Sequence, residues 1–214
     1  MGANVKAARG ADYVRAKPAA SLLVFSRSKS GTLGILMGRR PATMAFLPGV
    51  LVFPGGKMEP QDRPLDASQK IAGYNFLEHE FPNPIMAQRF LPCAIRECAE
   101  ETGIGVSAIS GQGPTRYIAR AITPTGRAKR YDTRFFMLVL TSTGKLPQPS
   151  SYDGELEDVG WYDPAALKPE GLHHVTQRVL NQGLAVLKLP PEADTPAPIL
   201  IARRLPQRWA GQVA

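Results

Sequence analysis

Two short stretches constrain this chain more than any other feature. Val52 to Asp62 reads VFPGGKMEPQD, and Ala94 to Ile104 reads AIRECAEETGI. The second places Glu97, Glu100 and Glu101 at i, i+3 and i+4, so on a helix all three carboxylates share one face. Like charges at that spacing cost a few tenths of a kcal/mol each unless something positive sits among them. A hard divalent cation would remove that penalty, since Mg²⁺ is commonly held by carboxylates together with substrate phosphates. The glycine pair of the first stretch lets backbone approach a neighbour closely, so its carbonyls can face the same ion. Standing alone, an E-x-x-E-E run also fits an ordinary solvated helix face.

Together the two stretches resemble the Nudix box of the Nudix hydrolases: Gly, five residues, Glu, seven residues, then Arg-Glu-aliphatic-x-Glu-Glu-x-Gly-aliphatic. The second half is matched from Arg96 to Ile104, with Cys98 at the aliphatic position. In the first half Asp62 stands where the family has Glu. Thirty-three residues separate the halves in place of seven, and one branch of the family carries such an insertion. The resemblance implies an α+β chain in the Nudix fold, an α/β/α sandwich around a curved mixed sheet. It also implies a Mg²⁺- or Mn²⁺-dependent hydrolase that cleaves a nucleoside diphosphate linked to another group. By position, Glu100 and Glu101 would be the principal metal ligands and Glu97 a ligand or the general base. Arg96 would steady the glutamates, and Gly55 or Gly56 would offer a carbonyl. In SYDGELEDVGWYDP, Glu155 precedes Trp161 where a further ligand or base is expected, with Glu157 as its competitor.

The 214 residues give room for one substantial domain with extensions. The expected division is a basic arm over 1–18, the Nudix domain over 19–188 with an insertion over 63–91, and a Pro-rich, basic tail over 189–214. No apolar run approaches the ~18–20 residues of a membrane span. The net charge is +8, which favours anionic partners. Cys93 and Cys98 lie too far apart on a helix for a disulfide and match no zinc spacing. They read as small buried residues in a reducing compartment, and the N-terminal arm lacks a signal peptide's apolar core. A cytoplasmic location is expected.

Strands are predicted over Ser21–Arg27, Leu33–Arg39, Val50–Phe53, Arg116–Ile122, Arg134–Leu140 and Leu156–Tyr162. The insertion carries its own apolar residues (Ile71, Tyr74, Phe76, Leu77, Phe81) and should fold onto the domain. Asn83-Pro84 predicts a helix start, with Asn as cap and Pro in the first turn. Pro92 should kink or restart that helix, and Gly103 should end it. Leu91, Ile95, Cys98 and Thr102 should face the core. Asp163-Pro164 reads as another helix cap, and Leu172–Leu187 as an amphipathic helix with Val175, Val179 and Leu187 inward.

For substrate, FLPGVLVFPGG, the split box and KRYDTRFF are similar to the branch that includes peroxisomal coenzyme A diphosphohydrolases. That branch carries an Arg, a small residue and a second Arg upstream of the box. Here Arg40 fits the first, while Pro41 and Ala45 replace the others. Arg39, Arg40, Arg130 and Arg134 are candidate phosphate-binding residues, since guanidinium binds phosphate bidentately. Tyr131 or Phe135 could stack on a base, with core packing the alternative. The partner is thus a small-molecule diphosphate, with a homodimer as one arrangement of the chain. Two other functions share these features: a Nudix-fold module that binds nucleotide or RNA without catalysis, and an enzyme that removes caps from RNA. The intact Arg96, Glu97, Glu100 and Glu101 argue against the first.

Overall fold

The longest apolar run of the N-terminal half builds the centre of the sheet. β1 (Lys17–Arg27) is buried from Ala19 to Ser26, so both of its faces are covered and the run is apolar throughout rather than alternating. The computed structural model describes residues 14–27, 31–44, 47–64, 71–105, 115–140, 148–149, 154–190, 193 and 196–201. The basic arm through residue 13, Ala45 and Phe46, the insertion's residues 65–70 and the basic end from residue 202 lie outside them.

Among the described residues eight further strands complete one mixed sheet. They are β2 (Leu33–Arg39), β3 (Leu51–Val52), β4 (Gly55–Lys57), β5 (Ile71–Ala72), β6 (Thr115–Ile122), β7 (Tyr131–Leu140), β8 (Glu157–Tyr162) and β9 (Ile199–Ile201). β1 runs parallel to β7 from Lys17↔Tyr131 to Ser26↔Leu140. Its other edge is shared: β2 pairs with the Phe25–Arg27 end and β4 with Ala19–Ser21, both antiparallel. β6 lies antiparallel to β7, and β8 pairs with β2.

Alternation along these strands sorts side chains into two cores. Leu22, Val24, Leu36, Phe136 and Leu138 point to one face, where they meet Phe90, Leu91, Ala94, Ile95 and Cys98. Leu23, Phe25, Ile35, Met37 and Met137 point to the other, against Val179, Leu180 and Val186. The helices carrying those partners are α3 (Phe90–Thr102) and α4 (His174–Leu187), so the layers are helix, sheet, helix, as the α/β/α expectation has it.

The insertion is ordered where it is described. β5 extends β6 in parallel, and α1 (Tyr74–Glu78) and α2 (Pro84–Gln88) pack beside α3, with Leu77 and Ala87 fully buried. Asn83 caps α2 as expected, its side chain accepting from Ile85 N–H at 3.0 Å. The break before α3 falls at Arg89 rather than at Pro92. Pro92 sits inside the first turn of α3, where the backbone N–H it lacks would have no helical partner.

Three expectations need correction. Asp163-Pro164 opens a turn rather than a helix, with Asp163 Oδ1 accepting from Ala165 N–H at 2.8 Å. α4 begins at His174, and His173 caps it through its ring nitrogen. The C-terminal segment is not wholly a tail: Ile199–Ile201 adds strand β9 to β6 in parallel. Among the described residues no helix is long and apolar enough to cross a membrane.

Candidate active site

The two halves of the split motif meet where β4 lies between β1 and α3. α3 forms because Leu91, Ile95, Cys98 and Thr102 present a buried stripe to the sheet. Gly103 ends it in the left-handed conformation (φ 66°), donating to Ala99 O. Of the three acids only Glu100 is exposed, however. Glu97 is 8 % and Glu101 2 % exposed, because β4 covers them.

That cover requires glycine. Gly55 N–H donates to Glu101 Oε2 at 2.8 Å, joining residues 46 positions apart. A Cβ on Gly56 would stand 2.5 Å from the Glu97 carboxylate, and one on Gly55 would stand 2.5 Å from Ala20 O. Any side chain here would displace either the sheet or the carboxylates.

Arg96 organises the acidic groups. It donates to Asp62 through Nε at 2.7 Å and Nη2 at 3.1 Å, and to Glu100 at 2.8 Å. It also reaches Lys57 O at 3.2 Å and lies 3.0 Å from Glu97 Oε1. These hydrogen bonds, Asp62 first, hold the guanidinium's pKa above its ordinary value. Burial pushes Asp62 up, but Arg96 and the Glu59 N–H, 2.7 Å from Oδ2, outweigh it and leave the carboxyl below its ordinary value. Asp62 is therefore the buried anchor of Arg96, a role for which sequence gave no residue-level signal beyond its spacing. Its loop is tied down further by Arg89, which donates to Asp62 O at 2.8 Å and Glu59 O at 2.7 Å.

Glu97 behaves differently. Burial raises its pKa to about 7; Arg96 opposes the shift, and Glu100 and Glu155 add to it. Glu155 is exposed on the loop before β8, near enough for its charge to bear on Glu97. Glu157 lies on β8 opposite Arg39.

The oxygen donors and the excess of negative charge suit a hard cation. One guanidinium serves Asp62, Glu97 and Glu100 together, and the least compensated of them, Glu97, resists ionisation. As they stand the groups do not form a ready cage. Among the described residues no three such side chains converge on one point, with Glu101 turned to Gly55 and Glu97 to Arg96.

The candidate phosphate-binding arginines separate into two pairs. Arg134 is 1 % exposed and bonds Glu80 and Asp132. Arg130 is 6 % exposed and donates to the carbonyls of Thr123, Pro124 and Val14. The expectation that these two grip a substrate does not survive their burial. Arg39 is half-exposed, paired with Asp158 at 3.1 Å and donating to Gly49 O at 3.0 Å, and Arg40 stands next to it at the end of β2. Phe135 is a core residue. A cleft of ≈ 530 Å³ opens beside Asp62, lined by Met58, Glu59, Ile85, Met86 and Arg89 among others. No sequence pattern signals it, because its walls come from Pro18 of β1, the loop after β4 and the insertion.

Residues 87–182 match the family model described as NUDIX domain; the match takes in α3 but not Gly55 and Gly56. No curated protein matches the chain. Among solved structures, a NUDIX hydrolase from Alicyclobacillus acidocaldarius is similar at 25% identity, covering 84% of this chain and 94% of that one with a TM-score of 0.58. The NUDIX domain of Shewanella oneidensis NrtR, complexed with ADP ribose, is 13% identical over 82% and 90% of the two chains, with a TM-score of 0.55. A Nudix hydrolase from M. Smegmatis, RenU, is 13% identical over 85% and 98%, with a TM-score of 0.51. The last two likenesses are of fold.

Proposed function

We propose that the chain is a Nudix pyrophosphohydrolase, a reading supported by the family match over residues 87–182 and by the similarity to a NUDIX hydrolase at 25% identity, and that it cleaves a nucleoside diphosphate linked to a second group, using Mg²⁺ or Mn²⁺. One observation carries the reading: the Gly55 N–H to Glu101 bond at 2.8 Å, which rejoins a motif that the insertion splits. Glu100 and Glu101 would hold the ion, with Glu97 beside them and a Gly55 or Gly56 carbonyl as a further ligand. A bound divalent ion would neutralise charge on phosphoryl oxygens and lower the pKa of a bound water.

The chain's own groups supply the rest. A water oxygen forms a bond to one phosphorus of the diphosphate, and the bond from that phosphorus to the bridging oxygen breaks. Glu97 takes the proton from the water. Its pKa of about 7 keeps a working fraction ionised at neutral pH while leaving it basic enough to accept. Arg96 keeps Glu97 and Glu100 aligned. Glu155 would be the second acid of the site, a reading supported by its electrostatic effect on Glu97. Arg39 and Arg40, at the end of β2, are the arginines that remain as phosphate contacts.

Coenzyme A or its thioesters are the proposed substrates, on the strength of Arg40, the split box and the cleft beside Asp62, which can receive a long flexible arm. The experiment is a phosphate-release screen over coenzyme A, an acyl-coenzyme A, ADP-ribose, NADH and capped RNA, with Mg²⁺ and with Mn²⁺. Turnover of a diphosphate that disappears in folded Glu101→Gln supports the assignment. Full activity in that variant would refute it, and no turnover of any compound would favour a binding module.

A further inference from the structure

The insertion brings an acid into the core that no part of the reaction uses. Glu80, just after α1, accepts from Arg134 at 2.8 and 3.0 Å, lies 3.3 Å from Arg120, and accepts from the Tyr117 hydroxyl at 2.5 Å. Asp132 completes the group, bound by Arg120 at 2.8 Å and by Arg134 at 3.0 Å. Two carboxylates and two guanidiniums thus form a neutral set around Arg134. The central carbon of that guanidinium lies 4.8 Å from the Phe81 ring centroid and 4.5 Å from that of Phe90, and the two rings stack at 5.3 Å. Phe81 belongs to the insertion. Phe90 is the first residue of α3.

Phe90, Glu97 and Glu101 stand at i, i+7 and i+11, which returns them to one stripe of the helix. A displacement at Phe90 is therefore passed along α3 to the two carboxylates that β4 holds in contact. We infer that Glu80 is a positioning residue: by fixing Arg134 against the stacked rings of Phe81 and Phe90, the insertion sets where the α3 carboxylates stand against Gly55 and Gly56. The inference rests on the metal-site reading above. Neutralising Glu80 leaves the buried set with one surplus positive charge. Arg134 must then draw in water or pull away from the two rings, and Phe90 moves with it.

The test uses the full chain with Glu80→Gln, Glu80→Gln/Arg120→Gln and Phe81→Leu. Each is followed by circular dichroism, by Mn²⁺ affinity from electron paramagnetic resonance, and by kcat and KM on whichever diphosphate the parent turns over. Glu80→Gln is expected to keep its secondary structure, bind Mn²⁺ about tenfold more weakly and lose about tenfold in kcat, with KM within about twofold. The double variant restores neutrality around Arg134 and should recover most of both losses. Phe81→Leu spares the ions and loosens the clamp, costing about threefold in kcat; it decides the matter if Glu80→Gln does not fold. Unchanged Mn²⁺ affinity and kcat in the folded variants, or a loss confined to thermal stability, would overturn the inference while leaving the active site standing. A parent that binds no Mn²⁺ would instead overturn the metal-site reading, and this inference with it.

Discussion

Two partly buried charge clusters lie on the same face of the sheet, at the two ends of one stripe on α3, and they are built to opposite rules. Around Arg134 two acids meet two arginines and the set closes on itself. Around Arg96 three acids share one arginine, and Glu97 is left with its pKa raised to about 7 by burial. A closed set has nothing to offer a ligand and serves to fix geometry, whereas an acidic surplus under cover invites a cation and provides a base. The contrast also accounts for Arg134, whose guanidinium is taken up by Glu80 and Asp132.

The comparison can be broken most forcefully at Arg134. Arg134→Met strands Glu80 and Asp132 beside Arg120 alone, and urea unfolding should show a loss of about 3–5 kcal/mol; a loss below about 1 kcal/mol would mean that the set is not closed. Glu97→Gln tests the other cluster through pH. Because the folded pKa is raised from 4.5 to about 7, the parent holds the protonated form's full contribution below about pH 4.5 and loses it as pH rises through about 7. In chelator the variant should match the parent at pH 4 and exceed its stability at pH 8 by up to about 3 kcal/mol. A pH-independent difference would show that Glu97 is not strained. Gly56→Ala sharpens the distinction between position and stability. Its methyl group meets the carboxylate end of the Glu97 side chain first, so stability should change by less than about 1 kcal/mol while kcat falls about a hundredfold. Asp158→Asn, which keeps a residue suited to the positive φ of 49° there, removes an exposed pair with Arg39 and should cost less than about 1 kcal/mol, vanishing in high salt.

Much of this was legible in the chain. The apolar runs of β1 and β2, the Asn83-Pro84 cap, the Gly103 stop and the inward stripe of α3 follow from periodicity and from local backbone chemistry, which depend on near neighbours only. Arg96, Glu97, Glu100 and Glu101 could be assigned to one helix face for the same reason. That Pro92 falls within a first turn and Asp163 in a bare turn was decided by neighbouring contacts, so those boundaries moved. β9 was hidden because a three-residue strand in a Pro-rich segment is defined by its partner, β6, and not by its own pattern.

What the sequence determined alone is which residues are acidic, which are small, and which share a helix face, since those properties are fixed by residue type and the 3.6-residue turn. It could not determine that Gly55 would donate to Glu101, that Asp62 would anchor Arg96, or that Glu80 would reach across 54 positions to Arg134. Those pairings depend on how strands stack and how an insertion folds back, and charge becomes decisive only once packing has removed the water around it.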